Sequence, residues 1–165
     1  MRFLRPCRGR VLMALAVILP AGPGAFAGDV TGLWLTDDGE GVVEITPCGE
    51  SLCGRIVWLK EPYDEKGQPI RDVNNPTPAE RERLLCGAQI IQDLKHQDDD
   101  SWDGGYVYDP EEGKSYRVML KSAGDDRLEV RGYIGIKSIG ETLIWTRGAH
   151  GLQRCVPETA LGPVR

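Results

Sequence analysis

The chain has 165 residues, of which 25 are acidic and 20 basic, so its formal net charge at pH 7 is −5. This length suits a single domain, and no apolar run after the first 27 residues is long enough to span a membrane. The acidic balance excludes nucleic acids and anionic lipid surfaces as partners, unless the positive charges are gathered into a patch.

Residues 1–27 are predicted to be a secretory signal peptide. Four arginines and no acid precede Val11–Leu19, an apolar run of nine residues, and Ala25-Phe26-Ala27 is a small-x-small cleavage site. We therefore expect a mature single domain of residues 28–165, located in the periplasm or secreted. Removing the leader leaves 16 basic residues against 25 acidic ones, a net charge of −9.

Four cysteines follow the leader: Cys48, Cys53, Cys86 and Cys155. They allow three pairings, which the sequence alone does not separate. Cys48 and Cys53 are spaced for a bridged hairpin loop, with a stabilisation of about 2 kcal/mol. A Cys86–Cys155 bridge would close a much longer loop, contribute about 4 kcal/mol and pin the tail to the body. Structural disulfides are favoured over a redox or zinc site, because the spacing is not Cys-x-x-Cys.

The hydrophobic pattern is typical of an all-β protein. Short segments rich in Val, Ile and aromatic residues alternate with turn signals such as Asp-Gly, Cys-Gly and Gly-Asp-Asp. Together they predict about eight antiparallel strands, forming a barrel or a sandwich. The predicted strands are Gly32–Thr36, Val42–Thr46, Leu52–Leu59, Ala88–Leu94, Trp102–Tyr108, Lys114–Lys121, Arg127–Ile134 and Thr142–Arg147.

One long, polar connection, residues 60–87, interrupts the strands. Thr77 can cap a helix, Pro78 suits the first helical position and Glu80 completes a capping box, so a short helix is predicted over Pro78–Leu84. Loops of this length usually carry function or structure of their own. The connection is predicted either to cover one end of the barrel or to take part in binding.

Few catalytic or metal-binding motifs fit the chain, and no cofactor or metal is predicted. Asp99-x-Ser101-x-Asp103-Gly104 begins like a calcium loop, but Pro110 stands where the closing acid belongs. The two histidines, His96 and His150, are assigned to the surface. An enzyme remains an alternative, with Asp103, Asp109 or Tyr106 as acid or base.

Aromatic and basic residues give the better functional signal. Trp102, Tyr106 and Tyr108 alternate along one strand, so they are predicted to share one face of the sheet. Arg117 and Arg131 lie within strands and can grip an anionic head group with two hydrogen bonds. These five residues form the predicted ligand site. The opposite orientation, with the arginines outside and paired across strands, stays open.

Several short motifs together resemble a bacterial secreted family called domain of unknown function 2147. The resemblance runs from about Gly32 to Arg147 and leaves the tail with Cys155 uncovered. It implies a lipocalin-like antiparallel barrel exported by bacteria, and it implies no established activity. The motifs are Gly32-Leu-Trp34, Pro47-Cys48-Gly49, Leu52-Cys53-Gly54-Arg55-Ile56-Val57-Trp58, Asp72-Val-Asn74-Asn75-Pro76, Leu85-Cys86-Gly87, Trp102-Asp103-Gly104-Gly105, Tyr108-Asp109-Pro110 with Gly113-Lys114, and Arg131-Gly132-Tyr133.

The favoured prediction is a binding protein that holds a small hydrophobic or amphipathic ligand, anionic ones included, inside the barrel. Eight strands enclose just enough space for packed side chains or one small ligand. Two alternatives remain: an enzyme acting on the bacterial envelope, and an envelope stress or interaction protein whose barrel is filled.

Overall fold

A computed structural model describes residues 29–148 and 151–155, and the strands within them form one closed antiparallel barrel in the order β1 to β8. All eight predicted strands are confirmed, with ends that differ by one or two residues. The strands are β1 Gly32–Leu35, β2 Gly41–Cys48, β3 Ser51–Leu59, β4 Gln89–His96, β5 Trp102–Asp109, β6 Lys114–Ser122, β7 Arg127–Tyr133 and β8 Gly140–Arg147. The predicted signal peptide, residues 1–27, lies outside the described residues.

The meander gives the barrel two different ends. The β1–β2, β5–β6 and β7–β8 hairpins and the long connection 60–87 lie at one end, called here the open end. The turns after β2, β4 and β6 lie at the other end, the base. Inward-facing residues alternate with outward ones along the strands, except where register shifts in the β2–β3, β3–β4 and β5–β6 pairings interrupt the pattern.

The base half of the barrel is filled with hydrophobic side chains. The fully buried core residues include Ile45, Ile91, Leu94, Leu120 and Leu128, none of them measurably exposed. They come from four different strands, β2, β4, β6 and β7, so the core joins opposite sides of the barrel. The predicted alternative of a wholly filled barrel therefore holds for this half only.

Trp34 and Arg147 close the base where the first and last strands meet. The indole N–H of Trp34 donates to the carbonyl oxygen of Val30 at 2.8 Å, and the guanidinium carbon of Arg147 lies 3.9 Å from the Trp34 ring centroid. Arg147 also donates to the backbone carbonyls of Asp29 and Asp125, at 2.8 and 3.0 Å. Arg147 thus links three segments at the base: the chain before β1, the β6–β7 turn and its own strand, β8.

The connection 60–87 is more extended than predicted. A single 3-10 turn, Pro78–Glu80, replaces the expected helix over Pro78–Leu84, and the Thr77 side chain makes no capping hydrogen bond. The helix stops because the following residues pair with the chain before it: Leu84 forms an antiparallel bridge with Arg71. Tertiary pairing has overridden the local helix signal.

Two disulfides link the cysteines, Cys48 with Cys53 and Cys86 with Cys155, with Cα–Cα distances of 5.8 and 6.1 Å. The first bridges the β2–β3 hairpin, as predicted. The second attaches the tail to the connection. The tail is also held by a bidentate ion pair from Arg154 to Glu44, at 2.6 and 2.8 Å.

Candidate functional site

The open end of the barrel contains a cavity of about 540 Å³. This size falls within the usual range for sites that bind small molecules. Its wall is predominantly apolar, and its lining residues come from seven strands, β2 to β8. Among them are Val43, Ile56, Ile90, Val107, Val130 and Leu143.

Trp145 lies at the lower part of the cavity, where the cavity meets the core. Its side chain is 5% exposed and belongs to the core cluster. Its indole Nε1–H is buried and has no hydrogen-bond partner among the described residues. Most buried donors in proteins have a hydrogen-bond partner. An acceptor inside the cavity, either a water or a ligand oxygen, would complete the hydrogen bonding of this N–H.

Gly132 leaves open space in the cavity wall. It sits on the inward face of β7, two residues beyond the buried Val130, and pairs with Val118 on β6. A Cβ atom placed on Gly132 would meet no other atom within 4 Å. A larger residue at this position would therefore reduce the volume of the cavity without colliding at its first carbon.

The rim of the cavity is acidic. Seven carboxylate residues contribute to the lining, and no Lys, Arg or His does so within the part of the chain that the structure describes. The acidic residues are Asp37, Asp38, Glu40, Asp109, Glu111, Glu112 and Glu141. They come from the three hairpins at the open end, so negative charge surrounds the opening.

Several rim carboxylates already have partners. Lys60 Nζ lies 2.7 Å from Glu40, and Lys114 Nζ lies 3.5 Å from Glu112. Asp38 accepts hydrogen bonds from the Thr36 hydroxyl and a backbone N–H, which hold its pKa below the ordinary value. These contacts shape the hairpins and neutralise part of the rim.

Glu141 belongs to a strand, unlike the rim acids in the hairpin turns, and Asp109, the other strand residue among them, is engaged with the β5–β6 turn. Glu141 stands opposite Gly132 in the β7–β8 pairing and shares the inward face of β8 with Leu143 and Trp145. Its carboxylate makes no hydrogen bond or ion pair with any described residue. A free carboxylate thus stands above the apolar wall of the cavity.

Of the five predicted ligand residues, Tyr108 alone lines the cavity. Its hydroxyl donates to Asp72 at 2.6 Å, and Arg83 lies over its ring at 5.2 Å from the centroid. Burial and the hydrogen bond to the Asp72 carboxylate raise the pKa of Tyr108 to about 12. Tyr108 therefore joins the cavity wall to the long connection.

The predicted shared face of Trp102, Tyr106 and Tyr108 is wrong for Trp102. The β5–β6 register shifts between Trp102 and Gly105, where Gly104 adopts a φ of +81°. This bulge reverses the alternation: Trp102 packs against the core, whereas Tyr106 is 39% exposed outside the barrel. The two rings therefore lie on opposite sides of the sheet.

Arg117 and Arg131 lie away from the cavity. The guanidinium of Arg117 stacks on Tyr106, 4.7 Å from the ring centroid, and donates to the carbonyl oxygen of Gly104. Arg131 donates to the carbonyl oxygen of Lys137 at 2.6 and 2.8 Å and to the hydroxyl of Thr142. Both arginines are engaged with the protein itself, and neither supplies a positive charge to the cavity.

The carboxylates of the enzyme alternative are also engaged. Asp103 is buried and pairs with Lys137, and it accepts hydrogen bonds from Tyr133 and the N–H of Gly104. Burial opposes its ionisation, but these partners outweigh burial and lower its pKa. Asp109 caps the β5–β6 turn by accepting two backbone N–H groups.

No group of three or more potential metal ligands comes together in residues 29–148 and 151–155. In the segment that begins like a calcium loop, the carboxylate of Asp99 accepts from the hydroxyl of Ser101 at 2.6 Å. Asp103 is turned towards Lys137 instead. The residues of this motif therefore serve the turn and the outer face.

Comparison with protein families assigns the chain by its sequence. The family described as "Uncharacterized protein conserved in bacteria (DUF2147)" matches residues 32–147, most of the chain and all eight strands. The chain belongs to this family. The match confirms the family to which the sequence motifs pointed. A search of functionally curated proteins found no match.

A solved structure supports the fold of this DUF2147 protein. Protein HP1028 from the human pathogen Helicobacter pylori, described as belonging to the lipocalin family, superimposes with a TM-score of 0.63. The two sequences are 23% identical, and the match covers 74% of this chain and 84% of the other. At this identity the likeness concerns the fold, a lipocalin-like barrel.

The two disulfides indicate a protein that works outside the reducing cytoplasm. Nowhere in the described ranges is there a helix long and apolar enough to cross a membrane.

Proposed function

We propose that this DUF2147 protein is exported and binds a small hydrophobic or amphipathic molecule in the cavity at the open end. The observation that carries the proposal is the cavity itself, about 540 Å³ in volume with a mainly apolar wall. One half of the barrel is filled, and the apolar surface of the other half is left open. Covering this surface with a ligand removes it from water and therefore makes binding favourable. The lipocalin-like fold is compatible with this function.

Two further features support an occupant. Trp145 lines the cavity, and its buried Nε1–H has no hydrogen-bond partner among the described residues, so an enclosed water or a ligand oxygen is a suitable acceptor. Ile134 and Ile139 line the opening while 72% and 70% exposed. Exposed apolar side chains next to a cavity are typical of a ligand entrance.

The test is to fill the cavity from within. We expect dodecanol to bind wild-type protein saturably, reported by tryptophan fluorescence, because Trp145 lies in the wall. Gly132→Phe should weaken that binding at least tenfold, since its ring takes the space of the alkyl chain. Gly132→Leu should have a smaller effect of the same sign. Thermal unfolding of both variants shows whether they remain folded.

Thr146→Phe is the matched control, because it adds the same ring at an exposed position of β8 away from the cavity. It should bind dodecanol like wild type. The proposal fails if wild type shows no saturable binding, or if folded Gly132→Phe binds as well as Thr146→Phe does.

A further inference from the structure

The charges around the cavity discriminate between possible head groups. Lys60 and Lys114 pair with Glu40 and Glu112, which leaves five rim carboxylates that form no ion pair within the described ranges. A polar group entering this opening meets a negative potential, strengthened by the apolar wall beneath it. Such a site attracts cations and repels carboxylates, phosphates and sulfates.

Glu141 has the best position to hold a charge on a ligand. It stands on the inward face of β8, directly above Leu143 and Trp145, so an alkyl chain along these residues brings its polar end to this carboxylate. Glu141 makes no contact that such a ligand would have to displace. Asp37 and Glu111 belong to hairpin turns further out on the rim.

The indole N–H of Trp145 is an independent sign that the cavity is built for an occupant. The side chain is 5% exposed, and its Nε1–H has no partner within the described part of the chain. A water enclosed in the cavity beneath the ligand is the acceptor that suits this N–H, since a cationic head group has no acceptor to offer. The acidic rim thus surrounds a cavity that has its own unsatisfied group.

We infer that the ligand is a cationic amphiphile, a molecule with an alkyl chain and an ammonium-type head, and that Glu141 is its counter-charge. The inference rests on the proposed function and names its ligand class. It also replaces Arg117 and Arg131 as head-group partners, because both lie outside the cavity and bind backbone carbonyls of the protein. The alkyl chain occupies the apolar wall, and the ammonium group stays at the wet rim.

Three probes with the same chain separate the head-group effect from the chain effect: dodecylammonium, dodecanol and dodecanoate. At pH 7 wild-type protein should bind dodecylammonium most tightly and dodecanoate most weakly. In Glu141→Gln the affinity for dodecylammonium should fall about fivefold, the effect of one partly solvated ion pair. The affinity for dodecanol should stay within about twofold of wild type.

Glu129→Gln is the matched control. It removes the same charge from an outward-facing position of β7, and Glu129 does not line the cavity. Its affinities for the three probes should equal those of wild type. Raising the salt concentration should weaken binding of dodecylammonium in wild type more than in Glu141→Gln, because salt screens ion pairs.

The outcomes distinguish the two proposals. If dodecanol binds but dodecylammonium binds no better, or if Glu141→Gln and Glu129→Gln behave alike, the cationic ligand class is refuted and the binding function stands. If none of the three probes binds saturably, both are refuted. Tighter binding of dodecanoate than of dodecylammonium would restore the anionic ligand predicted from the sequence.

Discussion

A buried carboxylate, Asp72, helps to hold the long connection on the barrel. Asp72 has no exposed surface, and it accepts hydrogen bonds from Tyr108, Asn75 and Arg83 at 2.6–2.8 Å. Burial opposes ionisation of Asp72, but these three partners outweigh it and lower its pKa below the ordinary value of 3.8. Because Tyr108 lines the cavity, the same carboxylate positions part of the wall.

Asp72→Asn should therefore destabilise the protein by about 2 kcal/mol, since an amide cannot accept from all three donors and loses the charge of the pair with Arg83. A lowered folded pKa means that the stabilisation is present above the unfolded pKa and is lost as pH falls through the folded pKa. Urea midpoints measured from pH 7 to pH 2 should thus fall less steeply in the variant than in wild type.

Asp64→Asn is the control for this prediction, because Asp64 is exposed in the same connection and the amide oxygen of Asn can still accept from the N–H groups of Lys66 and Gln68, as Asp64 does. Its urea midpoint should follow that of wild type at each pH. Equal stability of Asp72→Asn and Asp64→Asn at pH 7 would show that the buried cluster contributes little.

At the scale of elements, the disulfides act on very different loop lengths. Cys86 and Cys155 are 69 residues apart, Cys48 and Cys53 only five. The entropy of loop closure gives about 4 kcal/mol for the long loop and about 2 kcal/mol for the short one. Cys86→Ser/Cys155→Ser should consequently lower the free energy of unfolding more than Cys48→Ser/Cys53→Ser, measured by urea denaturation without reductant. The reverse order would contradict the chain-entropy argument.

The strands were predictable from the sequence, because each one pairs with its neighbour along the chain and is marked by local alternation of residues and by turn signals at its ends. The bulge at Gly104 was not predictable, because the alternation rule assumes a regular strand. The Gly104-Gly105 pair was its only local sign in the sequence. The prediction of a helix over Pro78–Leu84 was wrong, because Leu84 pairs with Arg71 and local sequence signals do not reveal such a tertiary contact.

The site was harder to predict than the strands. The alternation of residues in β7 places Gly132 on the same face as Val130, but it does not show that this face is the inside of the barrel. The acidic rim is assembled from three hairpins that are distant in sequence. These acidic residues come together around one opening only in the folded barrel, so the sequence alone does not show that the rim is acidic.

At the scale of the whole molecule, the prediction of export rests on the N-terminal sequence and is independent of the fold. Residues 1–27 carry the arginines, the apolar run and the Ala25-Phe26-Ala27 site of a signal peptide. N-terminal sequencing of the protein expressed with its leader in a Gram-negative host should give a chain that begins at or near Gly28. A periplasmic fraction without the protein, or a chain that keeps its leader, would contradict this prediction.

Barrel closure depends on one narrow seam between the first and last strands. β1 and β8 pair through two residue pairs only, Trp34 with Arg147 and Leu35 with Thr146, whereas β7 and β8 share seven. The other pairings join neighbouring strands, so they can form while the chain is still growing, but this one joins residues more than a hundred positions apart. The ring of strands cannot be completed until Arg147 has been synthesised. Closure is therefore expected as a late folding step, and the amide hydrogens of β1 as the first in the sheet to exchange with solvent.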